Sequence, residues 1–82
     1  MPYRLFNGNA NVVSKIITTK RTEKNLSYSE LSNKLALLGI TLYKSDLFMI
    51  ENNKRLVRDF ELIAICEVLE IKFQDLLKCL EI

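Results

Sequence analysis

The chain has no histidine and no tryptophan, one proline, two glycines and two cysteines among its 82 residues. Each scarcity closes a route. Without histidine the usual general base is missing, and zinc loses one of its two commonest ligands. Cys66 and Cys79 form no C-x-x-C and lie in apolar stretches, where a free thiol acts as a small hydrophobe; no metal site is expected, and a disulfide is left open. There is no P-loop, paired-glycine motif or nucleophile elbow, and the carboxylates are scattered, so neither an enzyme nor a cofactor is expected. No apolar run approaches the roughly 18 residues of a membrane-spanning helix. The opening MPYRLFNGN has no long apolar region and no cleavage pattern, so no secretory leader is expected and a cytoplasmic location is the default. Repeats and low-complexity segments are also missing.

What is present is one small domain with a lopsided charge. A chain of this length buries only about 60% of the surface its unfolded form exposes. From Arg4 to Arg58 there are ten Lys and Arg against four Asp and Glu, a balance of +6. From Asp59 to Ile82 there are two against six, a balance of −4. A basic front and an acidic back suggest an anionic partner on one side; an unevenly charged solvated surface is the plainer alternative.

Residues 1–10 read as an N-terminal arm, with a turn at Asn7-Gly8. The rest follows helical spacing. Val13, Ile16, Ile17 and Lys20 predict a helix over about 12–24, capped by Asn11 and left through Asn25. SYSE, Ser27 to Glu30, is a capping box, and Leu31, Leu35 and Leu38 give the stripe of a helix over about 28–38 that exits at Gly39. A third helix covers about 42–52, with Thr41 as its cap. Tyr43, Leu47 and Ile50 share one side of it; Lys44, Ser45, Phe48 and Asn52 share the other, with Met49 at the margin. Asp59 caps a fourth helix over about 60–69 with the stripe Leu62, Ile65, Cys66 and Leu69. Phe73, Leu76, Leu77 and Leu80 continue that pattern over about 73–81. With no glycine, proline or cap between the two sets, a single fused helix over 60–81 is also allowed.

Four segments together carry a family likeness: KRTEKNLSYSEL (20–31), LSNKLALLGI (31–40), SDLFMIENNKR (45–55) and VRDFELIAICEVLEIKFQDLL (57–77). In this order and spacing the stretch from Asn11 to Lys78 resembles the XRE-type helix-turn-helix family of lambda repressor-like and Cro-like proteins, in a subfamily with a lengthened second helix. The resemblance implies an all-α, five-helix lambda-repressor-like domain over 11–82, with separate fourth and fifth helices.

It also implies a function: a bacterial or phage transcription regulator, with repression the expected sense, that binds double-stranded DNA as a homodimer without a small-molecule effector. Helix three would enter the major groove with Lys44, Ser45, Phe48 and Met49 facing bases. Phe48 suits a thymine methyl. Tyr28, Asn53, Lys54 and Arg55 would hold phosphates, with Arg58 adding to the patch. Arg21 and Glu51 would form a structural ion pair, and Phe73, Leu76, Leu77 and Leu80 a dimer surface. Asp46 departs from the family's usual Thr or Ser; it could accept from cytosine N4 or cap a turn locally. Two other fates for Phe48 and Met49 stay open: cover by the N-terminal arm, and a protein interface of an antitoxin-like module or a phage inhibitor on the same scaffold.

Overall fold

Most helices among the described residues start and stop by a local device. In the computed structural model, which describes residues 5, 6 and 8–80, the elements are α1 (Ser14–Glu23), α2 (Tyr28–Ala36), α3 (Lys44–Glu51), α4 (Asp59–Leu69) and α5 (Phe73–Lys78). Four of the five begin with a carboxylate three residues in that reaches back to a backbone amide left open at the helix start. Glu30 accepts from the Ser27 amide, Asp46 from Tyr43, Glu61 from Arg58 and Asp75 from Lys72, each at 2.9 Å. Only at α2 is the box reciprocal, the Ser27 hydroxyl accepting from the Glu30 amide at 3.1 Å. Four helices also end alike, through one residue in the left-handed region: Asn25 (φ 55), Gly39 (φ 80), Asn53 (φ 59) and Glu70 (φ 58). The next amide then bonds five residues back, as in Leu26 to Arg21 and Ile71 to Cys66.

These devices correct several boundaries. Tyr43 rather than Thr41 caps α3, and Arg58 rather than Asp59 caps α4. Tyr43 therefore precedes the helical phase and is 67% exposed, while Leu42 takes the core position expected of it. Leu38 lies beyond the end of α2 and is half-exposed, so it does not extend the core stripe. The fused helix does not form. Glu70 turns left-handed, Ile71 drops into the core, and Asp75 restarts the chain at Lys72.

The core consists of Val13 and Ile17 from α1 and its approach, Leu31 and Leu35 from α2, Leu42, Leu47 and Ile50 around α3, Ala64, Ile65 and Leu69 from α4, and Ile71. α3 packs on α1 and α2, and α4 packs beneath α1 and α2. α5 closes the edge through Leu76 and Cys79. Both thiols are free and half-buried, and burial pushes both above the usual thiol range. Among the described residues no helix is long and apolar enough to cross a membrane. The arm folds back on itself as a bridge between Phe6 and Asn9 with Gly8 (φ 84) in the reversal, and Asn9 accepts from the Asn53 amide at 3.4 Å.

Asn11 does not cap α1; Val13 stands at that position. The Asn11 side chain is a buried staple, in a residue 6% exposed. It donates to the carbonyls of Ile50 (3.3 Å) and Arg55 (2.6 Å) and accepts from the Val57 amide (3.0 Å). Ser14 Oγ adds a second donor to the Ile50 carbonyl at 2.6 Å. Together they satisfy backbone groups that the end of α3 and its following loop would otherwise leave orphaned. Removing a partner that leaves several buried groups unpaired is costly. Asn11→Ala is expected to lower unfolding free energy by about 3 kcal/mol, read as a lower urea midpoint at unchanged slope.

Candidate nucleic-acid interface

The outer face of α3 is set by what its inner face buries. Leu47 and Ile50 are in the core, which turns Lys44, Ser45, Phe48 and Met49 outward. Phe48 is 47% and Met49 38% exposed. The ring of Phe48 meets Tyr28 edge to face, with centroids 6.2 Å apart and an interplanar angle of 83°. Tyr28 of α2 thus covers it on one side, while cover by the N-terminal arm falls largely on residues outside the described ones. Beside this face runs an open groove of about 370 Å³, lined by Ser29, Ser32 and Asn33 of α2 and by Tyr43, Lys44 and Ser45. Ser32 also donates to the Leu42 carbonyl at 2.6 Å, which ties the α2–α3 connection to α2. Tyr43, Ser29 and Asn33 were not among the expected site residues. The signal for Tyr43 was Asp46 three residues on, which marks it as an extended helix-start residue.

Behind α3 stands the ion pair of Arg21 and Glu51. Arg21 Nε donates to Glu51 Oε2 at 2.8 Å and Nη2 to Oε1 at 3.1 Å. The Glu51 side chain is only 2% exposed. Arg21 also donates to the Leu26 carbonyl at 2.9 Å and lies 4.1 Å from the centroid of the Tyr28 ring. The Glu51 hydrogen bond, working against desolvation, raises the Arg21 guanidinium above its ordinary range. Tyr28 donates its hydroxyl proton to Glu51 Oε1 at 2.9 Å. Burial, then that hydrogen bond, pushes the phenol up.

Three of the four expected phosphate ligands also make contacts within the molecule. Tyr28 has one hydroxyl proton, and Glu51 takes it. Asn53 is the left-handed exit of α3, and its side-chain oxygen accepts from the Asn11 amide at 2.7 Å. Arg55 lies in a bidentate pair with buried Glu61, at 2.9 and 3.0 Å, with Asp46 3.9 Å from its Nε. Lys54 is exposed and, among the described residues, meets no carboxylate. Lys44 is in the same position at the other end of α3. Arg58 is also outward, with its guanidinium 3.5 Å from Glu61. Asp46 serves as a local cap, accepting from the Tyr43 amide. Of the expected dimer residues, Phe73, Leu77 and Leu80 face solvent, whereas Leu76 packs on the core. Phe60 and Ile63 of α4 are further exposed apolar side chains that the sequence reading did not single out. No group of three or more His, Cys, Asp or Glu that could hold a metal ion occurs among the described residues. No family model, curated protein or solved structure matches the chain.

Glu61 is 3% exposed, and the Arg55 guanidinium, opposed by burial and helped by the Arg58 amide, holds its carboxyl below the usual range. Its folded pKa lies below its unfolded one. The stabilisation is therefore complete above the unfolded value, about 4.3, and is lost as pH falls through the folded one. Glu61→Gln is expected to cost about 2 kcal/mol near pH 7. Its urea midpoint should then fall less steeply than that of the unaltered chain between pH 5 and 3, because one of the titrating carboxyls is gone.

Proposed function

We propose that this chain is a DNA-binding module of the helix-turn-helix kind, built like the lambda-type repressors, that regulates transcription with α3 in the major groove. The observation that carries this reading is a short helix locked from behind by Arg21, Glu51 and Tyr28 and presenting Tyr43, Lys44, Ser45, Phe48 and Met49 outward. A helix held this way meets base edges without first losing rotational freedom. Asp46 accepts from the Tyr43 amide at 2.9 Å, so a helix-start role accounts for a carboxylate on this side of α3. Phosphate attraction falls to Lys44, Lys54 and Arg58, with polar help from Ser29 and Asn33. One such module buries only about 600–1,000 Å² on DNA. A homodimer on two half-sites one helical turn apart would double that, and the exposed Phe73, Leu77 and Leu80 form the face suited to it.

A second reading has its own support. Tyr28, Asn53 and Arg55 each bond within the molecule, which leaves few cations beside the two outward apolar residues of α3. A protein-binding module on the same scaffold would use Phe48 and Met49 as anchors.

Anisotropy of a labelled generic duplex across a salt series separates the two. DNA binding predicts a log–log slope of about −3 or steeper. Lys44→Ala and Lys54→Ala should each weaken binding on every sequence and flatten the slope by about one. Arg55→Ala should instead lower the unfolding midpoint. No binding at low salt with roughly 100 μM protein, beyond ordinary non-specific affinity, would contradict the DNA reading and leave the protein-binding one.

A further inference from the structure

Base pairs in the major groove are told apart by side chains that bond bidentately to base edges, or by apolar side chains that meet the thymine methyl. Around α3 the Asp46, Asn52 and Arg55 side chains each make a contact within the molecule. Asp46 accepts from the Tyr43 amide at 2.9 Å. The Asn52 side-chain amide donates to the Phe48 carbonyl at 2.8 Å. Arg55 grips Glu61 at 2.9 and 3.0 Å. Lys44 and Ser45 remain outward; the ammonium can donate to guanine O6 and N7, and neither group senses a methyl.

The other outward groups, Phe48 and Met49, are apolar, and Phe48 is held in place. Its ring stands edge to face on Tyr28, and Tyr28 is fixed by its hydrogen bond to Glu51 and by the Arg21 guanidinium over its ring. A half-exposed aromatic ring with a fixed orientation, on the outer side of a groove-sized helix, is a contact surface for a small apolar group. The small apolar group that the major groove offers is the 5-methyl of a pyrimidine.

Building on the DNA-binding reading, we infer that α3 discriminates sites by pyrimidine 5-methyl groups: thymine in ordinary DNA, and 5-methylcytosine where it is present. Phe48 and Met49 are the contact residues. Tyr28 is a positioning residue that holds the Phe48 ring. Burying one methyl group corresponds to about fourfold in Kd.

The test compares alternating A·T duplexes of equal length made with thymine or with deoxyuridine, using anisotropy and the intact chain. An alternating sequence presents methyl groups in every register. Alternating G·C duplexes with cytosine or 5-methylcytosine form the reciprocal pair. The expected result is binding about fourfold or more weaker when thymine is replaced by uracil, and tighter when cytosine is methylated, at unchanged salt slope. In the Phe48→Ala/Met49→Ala double variant, checked for fold by circular dichroism, both ratios should fall to about one while the salt slope persists. Tyr28→Phe, which keeps the ring but loses the Glu51 bond, should give an intermediate ratio. Equal affinity of the unaltered chain for the thymine and uracil duplexes, with a steep salt slope, would overturn the methyl inference and leave DNA binding standing. No binding to any of the four duplexes would remove DNA binding and the methyl inference together.

Discussion

The Arg21–Glu51 pair is the constraint on which the rest of the domain turns. Glu51 ends α3 with its side chain almost wholly buried, so an unpaired charge there would be costly. One guanidinium satisfies it through two hydrogen bonds, and the same group closes the α1–α2 turn at Leu26 and stacks on Tyr28 at the start of α2. Three helices therefore meet at one planar cation. With Leu47 and Ile50 in the core, this contact fixes both the position and the rotation of α3. Every statement about which side chains face outward depends on it.

A second polar knot holds the far end of α3. Asn11 staples the Ile50 and Arg55 carbonyls and the Val57 amide, and Arg55 pairs with Glu61 at the start of α4. Residues 52–58 thereby become a strut between α3 and α4. In this basic loop Asn53 and Arg55 brace the fold, whereas Lys54 and Arg58 are directed outward. Such bracing and phosphate binding draw on the same residue types, because both need donors that pair with anionic oxygens.

This difference shows what the sequence could and could not disclose. SYSE, Asn25 and Gly39 announce helix boundaries within a few residues, and the structure has the box and both left-handed exits where those residues stand. Asp46, Glu61 and Asp75 follow the same reach-back logic, but without a Ser or Thr three residues earlier the pattern is easy to pass over. Tyr43 falls on the wrong side because a helix read from residue 42 starts two residues before the observed one at Lys44. The bonds of Asn11 and Ser14 to α3 and its loop span 36 to 46 residues and leave no local trace. The burial of Glu61 is equally silent, since a carboxylate in the first turn of a helix is ordinary at the surface. The Arg21–Glu51 pair came from family likeness, not from spacing. The outward face of α3 came from periodicity, which works wherever the residues on the opposite side are plainly apolar.

The most direct measurement is an amide map of the labelled chain by two-dimensional NMR during titration with a short duplex at low salt. If α3 is the DNA-facing helix, the largest shifts fall on Tyr43 to Met49, with Ser29, Asn33 and Lys54 following at the same duplex ratio. If the amides of α3 stay in place while shifts are absent or confined to other faces, α3 is not the DNA-facing element and the functional assignment fails.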